Sequence, residues 1–139
     1  MFVNEKRLSR YIDKIDHIRE RVSDISEWIG DASREKKAKL AVYKAAQEIV
    51  EAVCDIIAMS LKDEKHIPKD DYTNIERWGE IFMKSEIAEC LKTANGLRNR
   101  LVHHYNGIND KLALDSILEV IPCVEEFIET VKKWLGEKT

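Results

Sequence analysis

From Leu8 the apolar positions fall at Leu8, Tyr11, Ile15, Ile18, Val22, Ile25 and Ile29, in alternating steps of three and four with charged residues between them. That spacing puts all seven on one stripe, so it predicts a long amphipathic helix that stops at Gly30. Whether the stripe packs within the chain or against a second copy is left open by periodicity. Leu40, Tyr43, Ala46, Ile49, Val50, Val53, Ile56, Ile57 and Leu61 give a second helix a broader apolar face, with Ser33 placed to cap its start.

The segment KDEKHIPKDDY interrupts the pattern. Pro68 has no N–H to donate and the charges around it favour solvent, so residues 62–72 are expected to be a surface loop with His66 exposed. Thr73 followed by Glu76 fits a capping box that opens a short helix through Trp78, Ile81 and Phe82. Another helix is expected from near Ser85 through Ile87, Leu91, Ala94 and Leu97 to a stop at Asn106 and Gly107. Asp110 is placed to cap a last helix, whose face carries Leu114, Ile117, Leu118, Ile121, Val124, Phe127, Ile128, Val131 and Leu135. Pro122 inside it predicts a kink. The expected fold is all-α: an antiparallel up-down bundle of four long helices plus a short one, forming a single domain over residues 1–139.

Composition narrows the function. With 44% hydrophobic and 35% charged residues but only five glycines and two prolines, the chain suits helices with one buried and one charged face and is not disordered. A net charge of -3 gives no overall attraction for nucleic acid, so an RNA or DNA role requires a local basic site. Cys54, Cys90 and Cys123 are isolated and odd in number, and are expected as reduced core thiols. The start MFVNEKRLSRYIDK lacks a signal-peptide run, and no apolar stretch is long enough to span a membrane, so a cytoplasmic location with no membrane partner is expected.

The common chemical motifs are missing: there is no GxxxxGK[ST] or GxGxxG phosphate loop, no HExxH and no spaced Cys/His set. Glu48, Glu51 and Asp55 have spacing reminiscent of a bundle-bound metal site, but the Glu-x-x-His pairs that a di-metal site needs are lacking. They are expected on a solvated face. Neither a metal nor a cofactor is expected.

The informative stretch is GLRNRLVHHY, Gly96 to Tyr105. On a helical wheel Ile87, Leu91, Ala94, Leu101, Val102 and Tyr105 all lie within roughly 60° of Arg98, so a permanent charge sits near the middle of an apolar stripe. Arginine does not discharge by losing its proton, so it must find carboxylates, carbonyls, a phosphate or a solvent-filled groove. Beside the stripe run Asn95, Asn99, His103 and Asn106, at steps of four, four and three. Two readings follow. Arg98 pairs with a carboxylate of another helix in a satisfied polar knot, or the cluster is a working site. His104 and Arg100 fall outside it as surface residues.

Arg98, His103 and Tyr105 in LRNRLVHHY resemble the RX4HXY motif of the HEPN superfamily, and the HepT-like branch in particular. The order of helices over roughly residues 5 to 135 is similar as well. The resemblance implies a metal-independent endoribonuclease that is the toxin of a toxin–antitoxin pair. It implies a homodimer in which Arg98 and His103 of both subunits line one cleft. It also implies a cognate minimal nucleotidyltransferase antitoxin, which neutralises the toxin and transfers AMP to Tyr105. RNA, the substrate, carries its own 2′-hydroxyl nucleophile, so cleavage needs a base, an acid and a cation rather than a metal. An imidazole changes charge near neutral pH, which makes His103 the acid/base candidate. Arg98 supplies planar donors to the phosphate. Asn99 is expected to orient the imidazole or bind phosphate, and Tyr105 to contact substrate. Arg100 and Lys92 are expected to make the cleft locally positive. The alternative is a non-catalytic helical module that binds nucleotides or a protein partner.

Overall fold

The computed structural model describes residues 3–103 and 107–139. They form α1 (Glu5–Trp28), α2 (Lys36–Asp63), α3 (Asp71–Ile81), α4 (Ser85–His103) and α5 (Asp110–Lys138), with no strand among the described residues. Contacts at the helix ends fix the topology. Arg7 and Tyr11 near the start of α1 bond Asp63 at the end of α2, so these helices are antiparallel. Lys39 and Tyr43 near the start of α2 reach Asp110 at the start of α5, and Glu64 just past α2 meets Trp134 near the end of α5, so α2 and α5 run parallel. With α4 antiparallel to α5, the four long helices run up, down, up, down, and the short α3 lies against α2 and α4.

One contiguous apolar core runs between them. At the end where α1 starts, Tyr11, Trp134, Phe82, Trp78 and Phe127 make successive ring contacts at centroid separations of 4.9–5.7 Å. Such rings each bury a large apolar area and add edge or stacking attraction. Beside them Asp63 accepts from Arg7 Nε at 3.0 Å and from the Tyr11 hydroxyl at 2.5 Å. Burial, and then this carboxylate, push the Tyr11 phenol above its ordinary value.

Helix ends are where expectation and structure part. Ser33 does not cap α2. The α1–α2 turn buries Ala32, leaves Ser33 exposed, and α2 starts at Lys36 after Glu35, whose side chain makes no capping bond. The Pro68 loop is shorter than expected, because the Asp63 pairing holds the last turn of α2 and because α3 already begins at Asp71. Its cap is Asp70, whose Oδ1 accepts the Thr73 N–H at 2.9 Å, so Thr73 is inside the helix rather than at its cap. Likewise Asn109, not Asp110, caps α5 by accepting the Leu112 N–H at 3.2 Å. α5 continues through the exposed Pro122 without interruption.

The cysteine expectation is corrected too. Cys90 of α4 and Cys123 of α5 form a disulfide, with Cα atoms 6.6 Å apart, and only Cys54 is free and buried. The two lie 33 residues apart in sequence, and it is the packing of α4 on α5 that puts them opposite each other.

Candidate active site

α4 carries Asn95, Arg98, Asn99 and His103 of the sequence-identified cluster, and it makes a close approach to α3. A Cβ on Gly79 would stand 2.5 Å from Ala88 Cβ, so the missing side chain lets the two helices come together. At its other end α3 starts with Asp71, beside the C-terminal half of α4. Arg98 points into the resulting corner, its side chain only 19% exposed, and Nη2 donates to Asp71 Oδ2 at 3.3 Å. Its Nε is buried without a hydrogen-bond partner. Cys54 of α2 lies close by: burial first, then the charge of Asp71, push its thiol up to about 12, with Arg98 acting in the opposite direction.

Arg98 therefore has the carboxylate of another helix that a polar knot requires, but an imperfect one. The contact is long for a charge-assisted bond, Asp71 is 43% exposed, and the buried Nε–H has no partner. Asp71 falls in the segment expected as a surface loop, and the only signal for it in the sequence is the need of Arg98 for a counter-charge.

Asn99 and His103 are exposed one turn apart on α4. Arg98 and His103 are five positions apart, which on an α-helix means about 140° of rotation and about 7.5 Å of rise. No hydrogen bond joins them among the described residues, and the one partner of Arg98 among those bonds is Asp71. Val102, expected in the buried stripe, is 40% exposed, whereas Leu101 is buried. Asn95, expected on the polar edge, is buried, with the Cys54 thiol 4.0 Å from its Oδ1. The reason is that α2 and α3 flank the middle of α4, whereas its last turn has passed beyond α3. Tyr105, Asn106 and His104 lie outside the described residues.

The surrounding charges are also redistributed. Lys92 is held by Glu89 at 3.0 Å and Glu76 at 3.5 Å and sits over the Tyr72 ring, so it adds little free positive charge. Arg100 is exposed and borders a groove with Leu112 and Ser116 on the α5 side. Glu48 pairs with His17 and Arg21, Asp55 with Lys14, and Glu51 with Gln47, which leaves these carboxylates engaged with neighbouring side chains. Among the described residues no group of three or more His, Cys, Asp or Glu is arranged to hold a metal ion, and no helix is long and apolar enough to cross a membrane.

Residues 8–131 match the family described as ribonuclease HepT-like. Two Archaeoglobus fulgidus proteins that carry the name "Putative RNase" are similar along nearly their whole length. One is 37% identical over 127 residues, covering 91% of this chain and 93% of the relative, and the other 32% identical over 134 residues, covering 94% and 99%. The fold is shared with a chain of a solved structure of a tri-AMPylated Shewanella oneidensis HEPN toxin in complex with an MNT antitoxin. The TM-score is 0.84 at 21% identity, over 94% of this chain and 99% of that one. A tyrosine-to-alanine mutant of the toxin–antitoxin pair MntA–HpeT gives a TM-score of 0.81 at 22% identity, over 89% and 98%. At those identities the likeness is one of fold, and it agrees with the all-helical bundle. The family match along most of the chain, together with relatives above 30% identity that span it, shows that this protein belongs to the HepT-like ribonuclease family.

Proposed function

We propose that the protein is a metal-independent endoribonuclease whose site is completed across the two-fold axis of a homodimer. The observation that carries this reading is the state of Arg98: mostly buried, with its Nε–H left without a partner and a single long contact to a half-exposed carboxylate. The roughly 140° between Arg98 and His103 supports the second half of the reading. One α4 cannot easily turn both side chains to one phosphate, but two copies related by symmetry can each contribute to a shared cleft.

In that cleft one imidazole of His103 takes the proton from the 2′-hydroxyl, whose oxygen attacks the adjacent phosphorus. The bond to the 5′-oxygen breaks, that oxygen takes a proton from an acid, and the products carry a 2′,3′-cyclic phosphate and a 5′-hydroxyl. Arg98 exchanges Asp71 for the phosphate and holds the charge that grows on its oxygens. Asn99, one turn before His103, orients the imidazole or binds phosphate. We further propose that the protein is the toxin of a toxin–antitoxin pair, held in check by a minimal nucleotidyltransferase that transfers AMP to Tyr105. The fold-sharing HEPN toxin solved with its MNT antitoxin supports this reading. Bulk and negative charge on that tyrosine would obstruct RNA.

The test is cleavage of mixed tRNA and mRNA in EDTA by protein shown by mass to be unmodified at Tyr105. Wild type should leave cyclic phosphate ends, and His103→Ala and Arg98→Ala, still folded dimers, should not. Wild type that leaves RNA intact, or variants that cut as well as wild type, would refute the enzyme and favour a helical interaction module in which Asp71 merely satisfies Arg98.

A further inference from the structure

A chain of net charge -3 must attract RNA through a local cationic surface, and the structure shows where the free cations are. Lys92 is neutralised by Glu76 and Glu89, Arg34 is held by Asp31, and Lys39 by Asp110. Several exposed cations are in no ion pair among the described residues, and of these Lys36, Lys37 and Lys44 cluster at the start of α2, toward the end of the bundle where α4 carries Arg100 and His103. All three are exposed on the first turns of α2, and none is in an ion pair among the described residues. Lys37 and Lys44 are seven residues apart, so they share one face of the helix about 10 Å from each other. The N–H groups opening α2 have no side-chain cap, and the positive end of the helix dipole adds to the same region.

This face lies at the same end of the bundle as His103. α2 and α4 are antiparallel and meet where Cys54 approaches Asn95. From that contact, ten residues along α2 to Lys44 and eight along α4 to His103 carry the two helices about 15 Å and 12 Å toward the same end of the bundle. Further from that end the outer face of α2 turns acidic, with Glu48, Glu51 and Asp55. We propose that Lys37 and Lys44, assisted by Lys36, form a backbone-phosphate track that feeds an RNA strand to Arg98 and His103. The lysines contact phosphates rather than bases, so the track gives affinity and direction without sequence preference. This rests on the ribonuclease reading above.

The test compares wild type, Lys37→Gln/Lys44→Gln, and Lys133→Gln, an exposed cation on α5 far from the track. Each is assayed for cleavage kinetics and for anisotropy binding of a 2′-O-methyl RNA strand between 0.05 and 0.3 M salt, roughly the range over which phosphate contacts show. Losing two phosphate contacts to a single strand should flatten the slope of log K against log salt by about 1.4 and weaken binding about 25-fold at 0.1 M salt, with the loss carried by KM. Lys133→Gln should keep the wild-type slope. If wild type cleaves RNA but the double variant keeps the wild-type slope and KM, or Lys133→Gln flattens the slope equally, the track is overturned and the ribonuclease reading stands. If wild type neither cleaves nor binds RNA, both fall.

Discussion

Replacing Gly79 by alanine tests whether the α3–α4 contact positions the site. A helical glycine exchanged for alanine ordinarily gains about 1 kcal/mol. Here the new Cβ would meet Ala88 Cβ at 2.5 Å, whereas carbon atoms settle at about 3.5–4.0 Å, so the helices must separate by about 1 Å. Forcing a methyl group into packed space costs about 1–3 kcal/mol, which offsets or exceeds the propensity gain. Gly136→Ala is the control, since nothing lies within 4 Å of its added Cβ, and it should be neutral or stabilising. The two variants should therefore differ by about 1–3 kcal/mol in urea unfolding, roughly 4 °C in Tm per kcal/mol for a chain of this size. Ala88→Gly removes the facing methyl, so the double variant should be more stable than the two single effects predict. Equal gains for Gly79→Ala and Gly136→Ala, or strict additivity with Ala88→Gly, would refute the reasoning. Because α3 begins at Asp71, the separated helices should also loosen the 3.3 Å contact to Arg98.

Three further outcomes are expected. Reducing the Cys90–Cys123 bond, which closes a segment spanning 33 positions, should cost about 3–4 kcal/mol by chain entropy; Cys90→Ser should show the lower Tm and no response to reductant, and a wild-type Tm indifferent to reductant would contradict this. The Tyr43 hydroxyl first, and then Lys39, hold the Asp110 carboxyl below its ordinary value of 3.8. Its stabilising contribution is therefore full above that value and is lost as pH falls through the lower folded value, so Asp110→Asn should flatten the acid limb of a plot of urea midpoint against pH. Met83, 87% exposed with φ 56°, occupies the left-handed position after α3, where Lys84 N–H bonds Gly79 C=O at 2.8 Å. Met83→Gly should raise stability by up to about 1 kcal/mol and Met83→Ala should not, as read by thermal melts.

What the sequence by itself determined was whatever one helix settles alone. The step of three and four from Leu8 to Ile29 specified α1, and an unbroken apolar face specified α2, because periodicity is a property of a single element. The RX4HXY pattern located the cluster on α4 and pointed to the family that the match over residues 8–131 shows. The placement of Arg98 among apolar neighbours was also legible, as a charge in need of a partner.

Only the tertiary structure decided the rest. Thr73 and Asp110 each lost a cap position to a residue nearby and Ser33 to none, because several residues near each helix start can cap it and the entering chain's direction selects among them. Asn95 was buried and Val102 exposed because a wheel gives angles about one axis, whereas burial depends on how far α2 and α3 extend beside that axis. Asp71 as the counter-charge of Arg98, and Cys123 as the partner of Cys90, are pairings across 27 and 33 positions. No local pattern encodes such distances; the packing of helices sets them.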